Sequence, residues 1–234
     1  MEIYKGITAL GLGLYIKKYK AYVISDLQIG YEDDLIKKGV FLPKRQFNLI
    51  NNSLEKIFKK IRPKIVVING DIKHDFKRIN RQEWKEVIQV IDFILKRCEK
   101  LILIRGNHDN FLEVLAKKRG LAVVDYYKLG DICITHGHNI SPAYLSSKII
   151  IIGHEHPAIS LREGSKTEKF KCFLVGKYGK SDLIVVPSFN TLSEGTDVTK
   201  EKLLSPFLKH DLGNFNVFIV EDRVYKFGKL SKLI

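Results

Sequence analysis

Histidine and carboxylate gather in five short stretches of this 234-residue chain: SDLQ at 25–28, GDIKH at 70–74, GNHD at 106–109, HGH at 136–138 and GHEH at 153–156. Six of the seven histidines, His74, His108, His136, His138, His154 and His156, lie in them, and only His210 lies elsewhere. Histidines scattered through core and surface would not cluster in this way. Neutral imidazoles combined with carboxylates suit manganese, iron or zinc, whereas an all-oxygen set would suit calcium or magnesium. Asp26, with Gln28 two positions on, reads as half of a metal site with a weakened partner or, taken alone, as the acidic start of a turn. His136 and His138 compete as ligands. His74, taken alone, is suited to a strand-end hydrogen bond. Asp109 would orient His108 or sit at a helix N-terminus, where an acid is favoured, and Arg105 would clamp phosphate or pair with surface acids.

Each cluster follows an apolar run of strand length: AYVIS before Asp26, KIVVIN before Gly70 and Asp71, LILIR before GNHD, DICIT before HGH, and KIIII before GHEH. In α/β sheets functional groups collect beyond the carboxyl ends of strands, so five separate loops can build one site. Helical spacing fills the gaps. From Pro43, a residue suited to a first helical turn, Phe47, Ile50, Leu54, Ile57, Phe58 and Ile61 form one stripe. A second helix opens at Asn80 with Glu83 as a capping box and carries Trp84, Val87, Ile88, Ile91, Leu95 and Cys98 on one face. A third runs from Asn110, with Glu113 three residues on, to Gly120 as C-cap. All three stripes read as core, and the alternation of strands with helices predicts an α/β protein. Beyond Pro157, AISLRE, KFKCFLVG, DLIVVPSF, NVFIVE and RVYKFG read as strands and hairpins of a second sheet, with no ligand-type chemistry in them. No repeat, low-complexity tract or proline-rich linker divides the chain, and its length predicts a single domain over 1–234.

The order D-x-Q, GD-x-x-H, GNHD, HG and GHEH resembles the calcineurin-like metallophosphoesterase superfamily, whose usual pattern is D-x-H, GD, GNH(D/E), H and GH-x-H. Individually GD or HG means nothing; the order and spacing over residues 26–156 are specific together. Within the superfamily, GDIKHDF and the later KCFLVG and VVPSFNTLSEGTDV are similar to segments of the archaeal phosphoesterases related to the SbcD repair nuclease and of bacterial DNA-ligase-associated phosphoesterases. The resemblance implies a sandwich of two β-sheets flanked by helices, with the metal site at the strand C-terminal ends. Carried over residue by residue, it implies one divalent ion held by Asp26, Gln28, Asp71 and His156. The other would be held by Asp71, Asn107, His136 and His154, with Asp71 as the bridge. The family places its ligand before the glycine of HG, which favours His136 over His138. Manganese is the expected metal, with iron, zinc, nickel and magnesium as alternatives. A hydroxide bridging the two ions would attack phosphorus in line, His108 would act on the leaving-group side as general acid or phosphoryl donor, and His74 would contact phosphate. Gln28 stands where most members carry histidine; its oxygen is a weaker donor to later transition metals, so the first ion should be held more loosely.

These motifs predict a metal-dependent phosphoesterase, a phosphodiesterase or nuclease-like hydrolase of nucleotides or nucleic acid. The competing readings are a hydrolase of a small phosphomonoester or pyrophosphate-linked metabolite and a non-catalytic interaction module on the same fold. SbcD-type nucleases carry an additional DNA-gripping domain for which 234 residues leave no room, so DNA would be met by this domain or through a DNA-repair protein partner. Forty Lys and Arg against 26 Asp and Glu give a net charge of +14, which favours an anionic partner. The lysines are dispersed, however, and fit an ordinary solvated surface equally well. Cys98, Cys133 and Cys172 are single and far apart, which excludes a disulfide framework and a zinc ribbon. No apolar stretch reaches membrane-spanning length and the N-terminus lacks the order of a secretion signal, so a cytoplasmic protein that does not enter membranes is expected.

Overall fold

The computed structural model describes residues 1–74, 81–109 and 112–233, and their strands form two sheets. The first runs in the order β1 (Glu2–Tyr4), β2 (Ile7–Leu10), β3 (Gly13–Ile16), β4 (Ala21–Ser25), β5 (Ile65–Asn69), β6 (Lys100–Ile104), β7 (Val123–Val124). β1 to β4 pair antiparallel and β4 to β7 parallel. The crossovers carry α1 (Tyr31–Lys37), α2 (Gln46–Ile61), α3 (Arg81–Leu95) and α4 (Leu112–Lys117).

The second sheet contains β8 (Tyr126–Leu129), β9 (Ile132–Thr135), β10 (Ile149–Ile152), β11 (Pro157–Glu163), β12 (Lys166–Tyr178), β13 (Ser181–Val185), β14 (Thr196–Asp197), β15 (Asn216–Val220) and β16 (Val224–Lys229). Its order is β14-β11-β12-β13-β10-β9-β8, with β15 between β12 and β16, and β13, β10 and β9 run parallel. A short α5 (Pro142–Leu145) joins β9 to β10. The second sheet therefore begins before Pro157: two of the five motif strands already belong to it.

Period-2 alternation sorts the side chains into layers. Tyr22, Ile24, Val66, Ile68, Leu101 and Leu103 face α2, α3 and α4. Their neighbours Val23, Val67, Ile102 and Ile104 meet Ile134, Ile151, Ile184 and Val186 of the other sheet. A one-residue slip in β4, β5 or β6 would exchange these two faces, so burial on both sides fixes the register that places each strand end. The outer face of the second sheet, including Cys133, Ile150, Leu174 and Val185, is covered by Tyr144 of α5 and by Phe207, Leu208, Leu212 and Phe215.

Several boundaries differ from the sequence reading. Pro43 lies outside α2, because Glu32 on α1 caps that helix from a distance: its Oε2 accepts from Arg45 N at 2.8 Å and Gln46 N at 2.9 Å. α1 itself was not anticipated. Cys98 lies beyond the end of α3. The expected starts at Asn80 and Asn110 lie outside the described residues. Gly120 does close α4 in a Schellman motif, with φ +64°, Leu121 N donating to Ala116 O at 2.9 Å and Gly120 N to Lys117 O at 3.3 Å. No helix among the described residues is long and apolar enough to cross a membrane.

Candidate metal centre

Parallel pairing of β4, β5 and β6 in one sheet and of β9 and β10 in the other sends five strand ends toward one another. Asp26 Oδ1 lies 3.2 Å from His156 Nε2 and 3.8 Å from His136 Nδ1. His136 Nε2 lies 3.5 Å from Asp71 Oδ2 and 3.1 Å from Asn107 Oδ1. Donor atoms of Asp71, His136 and His154 all fall within 4.8 Å of one another. His108 joins through its backbone N–H, which donates to Asp71 Oδ1 at 2.9 Å.

The backbone is bent to do this. Among the described residues seven non-glycine positions have positive φ, and five of them are Asp26 (55°), Gln28 (45°), Asp71 (44°), His154 (66°) and His156 (53°). Such left-handed residues cost of order 1–3 kcal/mol each and persist only where the surroundings over-determine them. Here they do. Gln28 N donates to Asp71 O at 2.9 Å, and Gln46 on α2 donates to Gln28 O at 2.8 Å while accepting from Gly30 N at 3.1 Å. Ser25 Oγ donates to Asp26 Oδ2 at 2.6 Å, and the same oxygen accepts from His154 N at 3.0 Å. Buried Glu155 takes the N–H groups of Leu204 and Ser205 at 2.9 and 2.7 Å, and Ser205 Oγ donates to Gly137 O at 2.7 Å, so one segment braces both histidine loops.

The remaining candidates fall as follows. His138 is half-buried beside the cluster, its ring 5.4 Å from that of His136, and is not among the converging donors. His74 turns its ring toward α1, with Nε2 3.4 Å from Asp34 Oδ2 and an edge contact to Tyr31, while its carbonyl meets His108 Nδ1 at 3.1 Å. Arg105 pairs with Glu113 at 2.7 Å and Asp125 at 3.2 Å, the surface-acid alternative. Asp109 sits just before α4, its carbonyl accepting from Leu112 N at 3.0 Å, while its buried carboxylate accepts from Ile72 N at 3.1 Å and Gly106 N at 2.9 Å, tying the GD loop to the GNHD loop. Burial, then the charge of Asp71, pushes its carboxyl up to about 6.

A sixth strand end was missed. β13 runs parallel to β10, and the segment after it, 186–190, returns to the centre: Ser188 Oγ donates to Asp26 O at 2.7 Å and Asn190 Nδ2 to Gln28 Oε1 at 3.5 Å. The expectation of no ligand-related chemistry beyond Pro157 is therefore corrected. The signal was present, since DLIVVPSFN is another apolar run ending in a polar cluster.

The donor set fits divalent cations. Asp26 Oδ1 and His156 Nε2 are buried with no well-aligned hydrogen bond among the described residues, only their mutual approach at 3.2 Å, and carboxylate, imidazole and amide oxygen are all metal donors. Electrostatics show the stress of the cluster alone. Burial opposes the charge on His136, but Asp26 and Asp71 outweigh it and raise the imidazole to about 9. Burial and then the His136 charge lower His154 to about 4. Burial would raise the Asp26 carboxyl, yet His156 and His136 hold it below the usual range.

These shifts set the stability of metal-free protein. His136 titrates higher folded than its ordinary 6.5, so its contribution is complete below 6.5 and is lost as pH rises through about 9. His154 titrates lower, so stability is lost as pH falls from 6.5 toward about 4. Asp109, raised to about 6, works against His154 over that acid interval, so the expectation in chelator is a thermal midpoint that falls as pH rises from 6.5 through about 9. A flat profile across that range would refute the pairing.

A family model described as calcineurin-like phosphoesterase matches residues 19–212. The chain belongs to the calcineurin-like phosphoesterase family. As such it is a metal-dependent hydrolase of phosphoric esters, and its two helix-flanked sheets are the calcineurin-like fold. Nuclease MPE of Pseudomonas putida superposes with a TM-score of 0.65 at 18% identity, over 92% of this chain and 91% of that one. Yfce, a phosphoesterase from E. coli, gives 0.43 at 14% identity over 90% and 97%. AQ665 of Aquifex aeolicus gives 0.40 at 21% identity over 58% and 78%. No curated protein sequence matches the chain.

Proposed function

We propose that this calcineurin-like phosphoesterase is a single-domain, manganese-dependent phosphodiesterase acting on nucleotides or nucleic acid. In this reading Asp26, Gln28, Asp71 and His156 hold one divalent ion and Asp71, Asn107, His136 and His154 the other. The observation that carries it is the convergence of Asp71, His136 and His154 donor atoms within 4.8 Å, beside the buried Asp26 Oδ1 and His156 Nε2, which lie 3.2 Å apart. Manganese accepts such a mixed oxygen and nitrogen set. Divalent ions there would supply Lewis-acid polarisation of a phosphoryl oxygen and acidify water.

The chain itself supplies orientation and a proton. A backbone carbonyl can only accept, so the proton shared by His108 Nδ1 and His74 O belongs to the imidazole. Handing a proton to the leaving-group oxygen as the phosphorus–oxygen ester bond breaks then falls to Nε2, and it requires the ring to carry a second proton, as imidazolium. Asp71 fixes this histidine in place by taking its N–H. The choice of a nucleic-acid substrate is supported by the length-wide likeness to a nuclease and by the +14 charge. In this reading the chain belongs with the SbcD-related and ligase-associated branch, to whose segments its GDIKHDF and VVPSFNTLSEGTDV are similar.

The test is a manganese-supplemented comparison of bis-p-nitrophenyl phosphate, single-stranded and duplex DNA, nucleotides and phosphomonoesters. Diester and DNA cleavage stimulated by manganese is expected, with His108→Ala slower by roughly 10²–10⁴-fold. Consumption of monoesters while both DNA forms survive would replace the substrate class. No turnover of any substrate would overturn the reading.

A further inference from the structure

Glutamine can present either an oxygen, which ligates a cation, or an NH₂ group, which repels one, and the two ends of its amide are nearly the same shape. A site that relies on Gln28 must therefore decide which end is offered to the ion. The neighbouring segment 188–192 makes that decision through a chain of fixed donors.

Leu192 N, a backbone N–H that can only donate, points at the side chain of Asn190 at 3.0 Å, so the atom it meets is Oδ1. The other end of Asn190 is then the NH₂ group, and it faces Gln28 at 3.5 Å. The atom of Gln28 opposite an NH₂ must be its oxygen. Asn190 cannot turn away, because it is fully buried and its own N–H donates to Ser188 Oγ at 3.1 Å. Lys171 closes the bracket: its Nζ donates to Ser188 O at 2.9 Å and also to Asn190 O, which ties these two carbonyls to one side chain. Phe189 N donates to Ser25 O at 2.8 Å, so the bracket is registered on β4, the strand that ends at Asp26.

We infer that Asn190, held by Leu192, Ser188 and Lys171, is a positioning residue that fixes the amide of Gln28 with its oxygen available to a divalent cation. This rests on the reading of Gln28 as a metal ligand. It explains how a glutamine can occupy a histidine's place: an imidazole needs no such choice between two ends, whereas an amide does.

The test is manganese uptake by the full chain, followed by calorimetry and by the electron-spin resonance of the bound ion, neither of which depends on turnover. The wild-type chain should take up two equivalents. Asn190→Ala should weaken one of them by roughly ten- to a hundredfold, the usual effect of removing an outer partner of a ligand, and leave the other unchanged. In a Gln28→His background the same Asn190→Ala change should have little effect, since the imidazole donor needs no amide partner. Should Asn190→Ala not fold, Asn190→Ser serves, because its hydroxyl can accept from Leu192 N but is too short to reach Gln28. Equal weakening in both backgrounds, or none in either, overturns the inference while leaving the metal centre intact. Fewer than two equivalents in the wild-type chain overturns the reading of the centre, and the inference with it.

Discussion

Asp71→Asn is expected to reduce phosphodiester turnover at least roughly a thousandfold while leaving the protein folded, because the lost charge is worth several kcal/mol to the transition state and each 1.4 kcal/mol is about tenfold in rate. Asp71 has two jobs that this substitution separates. Its Oδ1 accepts from His108 N at 2.9 Å, and asparagine keeps that oxygen. Its Oδ2 lies 3.5 Å from His136 Nε2 and helps hold the imidazole charged, a task an amide nitrogen cannot perform. Against burial, the pairing with His136 holds the Asp71 carboxyl below its usual range, and Asn loses that pairing but also removes the opposing repulsion from Asp26. Denaturant unfolding of metal-free Asp71→Asn should therefore stay within about 1–2 kcal/mol of wild type. Manganese uptake should drop below two equivalents, and the decline of metal-free stability above 6.5 should become shallower. Undiminished turnover with two ions still bound would show that Asp71 does not serve the centre.

The clusters were legible in the sequence because both of their signals are local. An apolar run ending in Gly, Asp, Asn or His names a strand and its loop without reference to the rest of the chain, and β4, β5, β6, β9 and β10 lie where those runs stand. What the sequence did not disclose is pairing. β13 reads like any other half of a hairpin, and only its parallel alignment with β10 reveals that Ser188 and Asn190 finish at Asp26 and Gln28. The cap of α2 was hidden for the same reason, since Glu32 lies 14 residues from Gln46. Asp109 shows a subtler limit. An acid beside a helix start fits a local rule, but its oxygens are taken by Ile72 N, 37 residues away, and by Gly106 N. The positive-φ residues at the proposed ligand positions break local propensity outright, and such violations are expected where a site rather than the fold selects the conformation.

Gly106→Ala should be among the most damaging single-methyl changes in the chain, and the reason is space rather than backbone freedom. The φ of Gly106 lies outside the left-handed region, so alanine could adopt its backbone. A Cβ there, however, would overlap Asp71 N and Asp71 Oδ1. The first is main chain and cannot swing aside, and its neighbour Ile72 is pinned by the same Asp109 carboxylate that binds Gly106 N. The GNHD loop must therefore retreat from the GD loop, carrying Asn107 and His108 away from Asp71. Overpacking of this kind costs about 1–3 kcal/mol, and more where backbone is struck. Gly179→Ala is the control: it has φ +57° but nothing within 4 Å, so it bears only the left-handed penalty of about 1–2 kcal/mol. Denaturant midpoints should place Gly106→Ala below Gly179→Ala, and only the former should lose manganese uptake and turnover together. If both variants bind two ions and differ in stability by less than roughly 0.5 kcal/mol, the contact between the two loops is not what holds the carboxylate and the histidine in register.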